Sequence, residues 1–159
     1  MKLDFVVTKE ARTIDVTRTF AAPRQSVWAA WTQKELLDQW WAPRPWKAQT
    51  KEQHFAEGGQ WLYAMVGPQG EEHWSQAVYK AIHPESSFGF SDGFCDRDGN
   101  IDENMPRMDW LLRFEDAGDE TVVHIHIVHR SLEDLEKIIE MGFKEGFSMA
   151  MEGLDELLG

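Results

Sequence analysis

The sequence predicts an α+β fold: a strongly curved antiparallel sheet of about six to seven strands, wrapped around a long C-terminal helix. Three observations carry this expectation. Apolar and polar residues alternate before residue 21 and again from about residue 46 to residue 129. Two short stretches with helical spacing lie between those regions. The segment from Ser131 to Gly159 has helical spacing, and its apolar stripe needs a surface to cover it.

Thr13–Phe20 alternates Ile14, Val16, Arg18 and Phe20 against Asp15, Thr17 and Thr19, a strand pattern rich in β-branched residues. A shorter strand is expected before it at Leu3–Thr8. Pro23 ends the strand and suits the first turn of a helix, in which Val27, Ala30 and Trp31 share a face. Thr32-Gln33-Lys34-Glu35 has the form of a capping box for a second short helix, with Leu36/Trp40 and Leu37/Trp41 one turn apart. Pro43 and Pro45 close that helix.

Trp46–His54 reads as a weak strand, and Gly58-Gly59 as a turn. Gln60–Val66 places Trp61, Tyr63 and Met65 on one face. After a turn at Gly67-Pro68-Gln69-Gly70, His73–Ile82 is a strand closed by Pro84. Phe88 and Phe90 begin another, and Asp92–Pro106 reads as a polar loop. Met108–Glu115 and Thr121–Arg130 form a hairpin about Ala117-Gly118-Asp119. Ser131 is placed as an N-cap, with Glu133 and Asp134 in the first turn. One long helix follows, with Gly142 and Gly146 as breaks or close-packing points.

A chain of 159 residues, 42% of them apolar, fits one domain over residues 1–159 and can bury a core without disulfides. The single Cys95 excludes a disulfide framework. A formal charge of −12 makes nucleic acid and anionic membranes poor partners. Half of that charge lies in residues 131–159. No run approaches the ~18 apolar residues of a membrane span. Met1–Glu10 does not read as a signal peptide, so a cytoplasmic location is expected. Six of the eight Trp residues fall between residues 28 and 61.

Motifs along nearly the whole chain resemble the AHSA1 family, within the SRPBCC (START-like, helix-grip) superfamily. They are Phe20-Ala21-Ala22-Pro23, Val27-Trp28-Ala29-Ala30-Trp31-Thr32, Trp40-Trp41-Ala42-Pro43 and Gly58-Gly59-Gln60-Trp61. Gly67-Pro68-Gln69-Gly70, Ile82-His83-Pro84, Phe114-Glu115, and Gly146-Phe147 with Leu154 and Leu157 continue the match. Position 147 departs from the pattern, where Trp is usual. Phe94–Asn100 and Glu140–Phe147 look like a bacterial subgroup. The resemblance implies the helix-grip fold and, for most members, small-ligand binding. It supplies no catalytic motif. The family takes its name from an Hsp90 co-chaperone whose N-terminal chaperone-binding domain has no counterpart in this sequence, so chaperone activation is not carried over.

The expected inner wall supplies the candidate site: Trp41, Trp61, Tyr63, Met65, Tyr79, Phe90, Trp110, Phe143, Phe147 and Met151, with His129 as a polar group. Large aromatics on a curved sheet are either core or the wall of a ligand cavity. Trp28 and Trp31 read as core. His129 shares the parity of the apolar face and either enters the cavity or bonds to backbone at the strand end.

Other groups yield to plainer readings. Asp96, Asp98 and Asn100 mimic the start of a calcium loop, but Ile101 and Arg107 stand where such a loop needs Gly and Glu. A turn explains them. His124 and His126 share the outer strand face without a third ligand nearby. Cys95 lies among acids that raise a thiol pKa. No metal or cofactor is expected.

The leading expectation is therefore a non-enzymatic domain that binds a small apolar or aromatic molecule. One alternative is a cyclase- or hydrolase-type enzyme using His129 or Tyr79 as acid or base. Another is a chaperone-associated or dimerising module, a homodimer included.

Overall fold

The computed structural model describes residues 3–159. Its strands are β1 (Leu3–Thr8), β2 (Thr13–Phe20), β3 (Lys47–Gln53), β4 (Gln60–Val66), β5 (Glu72–His83), β6 (Ser87–Cys95), β7 (Arg107–Ala117) and β8 (Glu120–His129). Among the described residues these eight make one antiparallel sheet in the order β1-β2-β8-β7-β6-β5-β4-β3. The count slightly exceeds the six to seven expected from the sequence. β3 to β8 follow one another as neighbours, while β2 pairs with β8, its Ile14 opposite Ile127 and its Val16 opposite Ile125. Two short helices, α1 (Arg24–Thr32) and α2 (Lys34–Trp40), fill the connection from β2 to β3.

Strand alternation decides what faces inward. In β7, Met108, Trp110, Leu112 and Phe114 are buried, while Asp109, Leu111, Arg113 and Glu115 are exposed. In β8, Val123, Ile125, Ile127 and His129 are buried. The helices cover this concave inner face and complete the core.

Three local expectations need correction. The capping box does not form: Thr32 ends α1, and its hydroxyl donates to the Trp28 carbonyl at 2.8 Å. Gln33 occupies the N-cap of α2 with no side-chain cap. The C-terminal segment is two helices, α3 (Leu132–Glu140) and α4 (Phe143–Leu158). Gly142 separates them with φ +86°, a left-handed conformation that costs a side chain about 1–2 kcal/mol. Finally, the polar loop begins later than residue 92, because β6 runs on to Cys95 and pairs Asp92 with Met108. Ser131 does cap α3, accepting the Asp134 N–H at 3.1 Å.

Arg18 is the exception on the inner face of β2. It is 3% exposed and pairs with Asp155 of α4, fastening the last helix to the sheet.

Candidate functional site

A cleft of about 220 Å³ lies between the sheet and the α3–α4 corner at Met141-Gly142. Tyr63 and Met65 of β4, Asp92 of β6 and Trp110 of β7 form the sheet side. Ile138, Met141, Phe143 and Phe147 form the helix side. Trp41 and Pro43, just beyond α2, close one end. The walls follow from period: residues 63 and 65 alternate on a strand, and residues 143 and 147 stand one helical turn apart.

The aromatic rings hold one another in place. Phe143 and Phe147 stack with centroids 5.2 Å apart and planes 12° apart. Trp110 meets both edge-on, at 6.0 and 5.7 Å. Trp41 approaches Trp110 at 5.8 Å, and its indole N–H donates to the Tyr63 hydroxyl at 2.9 Å. Such edge contacts favour a fixed arrangement over free rotation. Burial and the nearby Asp92 charge raise the Tyr63 pKa, while hydrogen bonds from Trp41 and Ser75 oppose the rise. Its hydroxyl therefore stays neutral at ordinary pH.

Six of the sequence candidates line the cleft together: Trp41, Tyr63, Met65, Trp110, Phe143 and Phe147. The other five stand outside its lining. Trp61 stacks on Tyr63 at 4.2 Å and donates to the Thr50 hydroxyl. Phe90 stacks on the far side of Trp110 at 5.1 Å. Tyr79 accepts from the Gln53 amide at 3.1 Å, and burial pushes its pKa to about 12. Met151 is fully buried core. His129 is also buried, and its Nδ1 meets the Arg12 carbonyl at 3.0 Å. Burial lowers the His129 pKa, and its Nε2 has no hydrogen-bond partner.

The acid inside the cleft is Asp92, which belongs to β6 and not to the polar loop expected from residue 92. Continuing the Phe88, Phe90 alternation by one step finds it on the inner face. Asp92 is 7% exposed, and its Oδ1 has no hydrogen-bond partner. Desolvation raises its pKa to about 7, and Asp109 adds to the rise. The Trp110 indole N–H, the Met108 backbone N–H and Arg107 work against it. The Trp110 Nε1 and the Asp92 Oδ1 each lack a bond of good geometry.

The histidines of β8, the Asp96 turn and Cys95 sit outside the cleft lining. His124 pairs with Glu115 at 2.8 Å and His126 with Asp15 at 2.6 Å, both on the outer sheet face. Asp96 Oδ1 accepts the backbone N–H groups of Asp98 and Asn100, each at 2.9 Å, which is turn geometry. Burial, with Asp96 second, pushes the Cys95 thiol to about 11. No helix among the described residues is long and apolar enough to cross a membrane.

Known proteins agree with this architecture. A solution structure of a protein from Arthrobacter aurescens superposes with a TM-score of 0.92 at 28% identity, covering 98% of this chain and 90% of that one. A crystal structure of a Mycobacterium smegmatis protein gives 0.91 at 28%, covering 99% and 98%. A Staphylococcus epidermidis solution structure gives 0.84 at 28%, covering 96% and 93%. No curated protein matches the chain. The model of the family described as "Activator of Hsp90 ATPase homolog 1-like protein" matches residues 21–159. With the helices gripped by the curved sheet and the family pattern spanning most of its length, the chain belongs to the AHSA1 family.

Proposed function

We propose that this protein binds a small apolar or aromatic molecule in the cleft between the sheet and the α3–α4 corner. One observation carries the reading. Trp41, Trp110 and the α4 pair Phe143 and Phe147 come from three separate stretches of chain, yet they border open space of about 220 Å³ rather than close it. Apolar surface facing water is unfavourable by about 25 cal/mol per Å², so an apolar guest that covers it is stabilised by the same amount. The volume lies just below the usual range for ligand pockets and suits a molecule of roughly one or two rings. Membership of a family whose domains commonly bind ligands supports the same reading.

The acid–base alternative loses its proposed residues, because Tyr79 and His129 both lie outside the cleft lining.

Native mass spectrometry against a library of lipids and small aromatics, read beside tryptophan fluorescence, tests the proposal. It expects one-to-one adducts that quench Trp emission. Absence of both adducts and quenching across the library overturns it.

A further inference from the structure

The cleft is mostly apolar, and its polar lining is Tyr63, His73, Ser75 and Asp92. Among the described residues that line it, Asp92 is the one acid, and no Lys or Arg is present. A carboxyl in such a place is costly unless something satisfies it. Its Oδ1 has no hydrogen-bond partner, while the Trp110 indole, the Met108 N–H and Arg107 favour the ionised form only in part. Trp41, Trp110, Phe143 and Phe147 line the same cleft. Aromatic faces attract cations through their quadrupoles, and a carboxylate completes the pairing.

We propose that Asp92 makes the cleft selective for amines: a protonated amine seats its ammonium on the Asp92 carboxylate and lays its apolar part against Trp110, Phe143 and Phe147. This rests on the reading of the cleft as a binding site and names the chemistry of its ligand. Three features support the assignment. The formal charge of −12 draws cations toward the protein and repels anions. The ammonium supplies the donor that Oδ1 lacks. The aromatic walls suit the carbon skeleton of an aryl-alkyl amine.

The groups facing Asp92 set the pH dependence. Tyr63 on β4 is neutral, and His73 on β5 is exposed at the mouth. Cys95 on β6 has a thiol pKa of about 11, so it is uncharged near neutrality. On β7, Asp109 and Arg107 act on Asp92 in opposite directions. On the helix side, no lining residue of α3 or α4 carries a charge. Asp92 therefore titrates near pH 7 as the group that decides cation binding. An ammonium binds its ionised form, so below about pH 7 binding must expel a proton.

Three probes of similar shape separate the outcomes: phenethylamine, phenethyl alcohol and phenylacetate, each titrated into the full chain and into Asp92→Asn. The expected result is that the amine binds the unaltered protein tightest and phenylacetate weakest. Asp92→Asn weakens the amine roughly tenfold to a hundredfold more than it weakens the alcohol. Amine affinity rises between about pH 6 and pH 8 in the unaltered protein, while alcohol affinity stays flat. That pH series needs no variant, so it stands even if Asp92→Asn folds poorly. Equal binding of amine and alcohol, unchanged by Asp92→Asn, overturns amine selectivity and leaves the cleft reading intact. Failure of all three probes to bind overturns the selectivity and counts against the cleft reading as well.

Discussion

The Trp41 indole N–H donates to the Tyr63 hydroxyl at 2.9 Å, joining the end of α2 to the sheet wall of the cleft. Both residues are buried, so neither group has water as a substitute partner. Tyr63→Phe keeps the ring and removes the acceptor. It should cost about 1–3 kcal/mol, seen as a lower denaturation midpoint, and should shift the Trp41 indole resonance. An unchanged midpoint and an unmoved Trp41 signal contradict this role.

Asp92 gives a signed pH dependence. Its folded pKa of about 7 is above the ordinary value, so the folded state holds the proton more tightly than the unfolded chain. Its contribution is therefore favourable at low pH and is lost as pH rises from about 4 to about 7. Above that window the penalty is on the order of 4 kcal/mol. Asp92→Asn cannot ionise and should flatten the profile, gaining stability relative to the unaltered protein most clearly near pH 8. Chemical denaturation at about pH 5 and pH 8 checks it, and parallel profiles contradict it.

His129 works with the opposite sign. Burial lowers its pKa, so the unfolded chain takes up its proton first as pH falls below about 6.5. Stability is lost through that window. NMR titration should find the His129 ring still neutral at about pH 6, below the ordinary histidine midpoint. A His129 midpoint at or above about 6.5 contradicts the buried placement.

The last helix is fastened by Arg18 and Asp155. The guanidinium is buried and the carboxylate about one-third exposed, so removing the acid leaves a buried cation only partly reachable by water. Asp155→Ala should cost about 2–4 kcal/mol, somewhat moderated by that exposure. A loss under about half a kcal/mol would mean that the pair behaves like a surface ion pair.

Phe147 tests the room in the cleft. Phe147→Trp enlarges a wall residue that already touches Phe143 at 5.2 Å and Trp110 at 5.7 Å. The larger ring should occupy part of the free volume and weaken phenethyl alcohol binding on the order of tenfold. A midpoint change under about 1 kcal/mol would show that the added ring went into open space rather than packed core. Unchanged alcohol affinity contradicts the account.

Much of this was legible in the sequence, and the misses have physical causes. Strict alternation located β2 and β8 and the inward sets on β4 and β7, because one buried face enforces period two. The same rule held at Asp92, but a polar residue beside Gly93 looked like the start of a loop. Tertiary pairing with Met108 kept the strand going. Thr32-Gln33-Lys34-Glu35 had the right letters for a cap, yet the Thr32 hydroxyl bonded back to Trp28 inside α1. The break at Gly142 was visible as a glycine, whereas the cleft beside it depends on how α3 and α4 sit against the sheet. Tyr79, Phe90 and Met151 have the right chemistry for a wall, and only packing shows that they lie behind it.

The central claim is that small apolar or aromatic molecules enter this one cleft. Amide and indole NMR shift mapping with phenethyl alcohol tests it most directly. The account predicts saturable shifts clustered on the Trp41 and Trp110 indole N–H groups and on the backbone of Gly142, Phe143 and Phe147. Shifts confined to the outer sheet face around His124 and His126, or no saturable shifts at all, would contradict it.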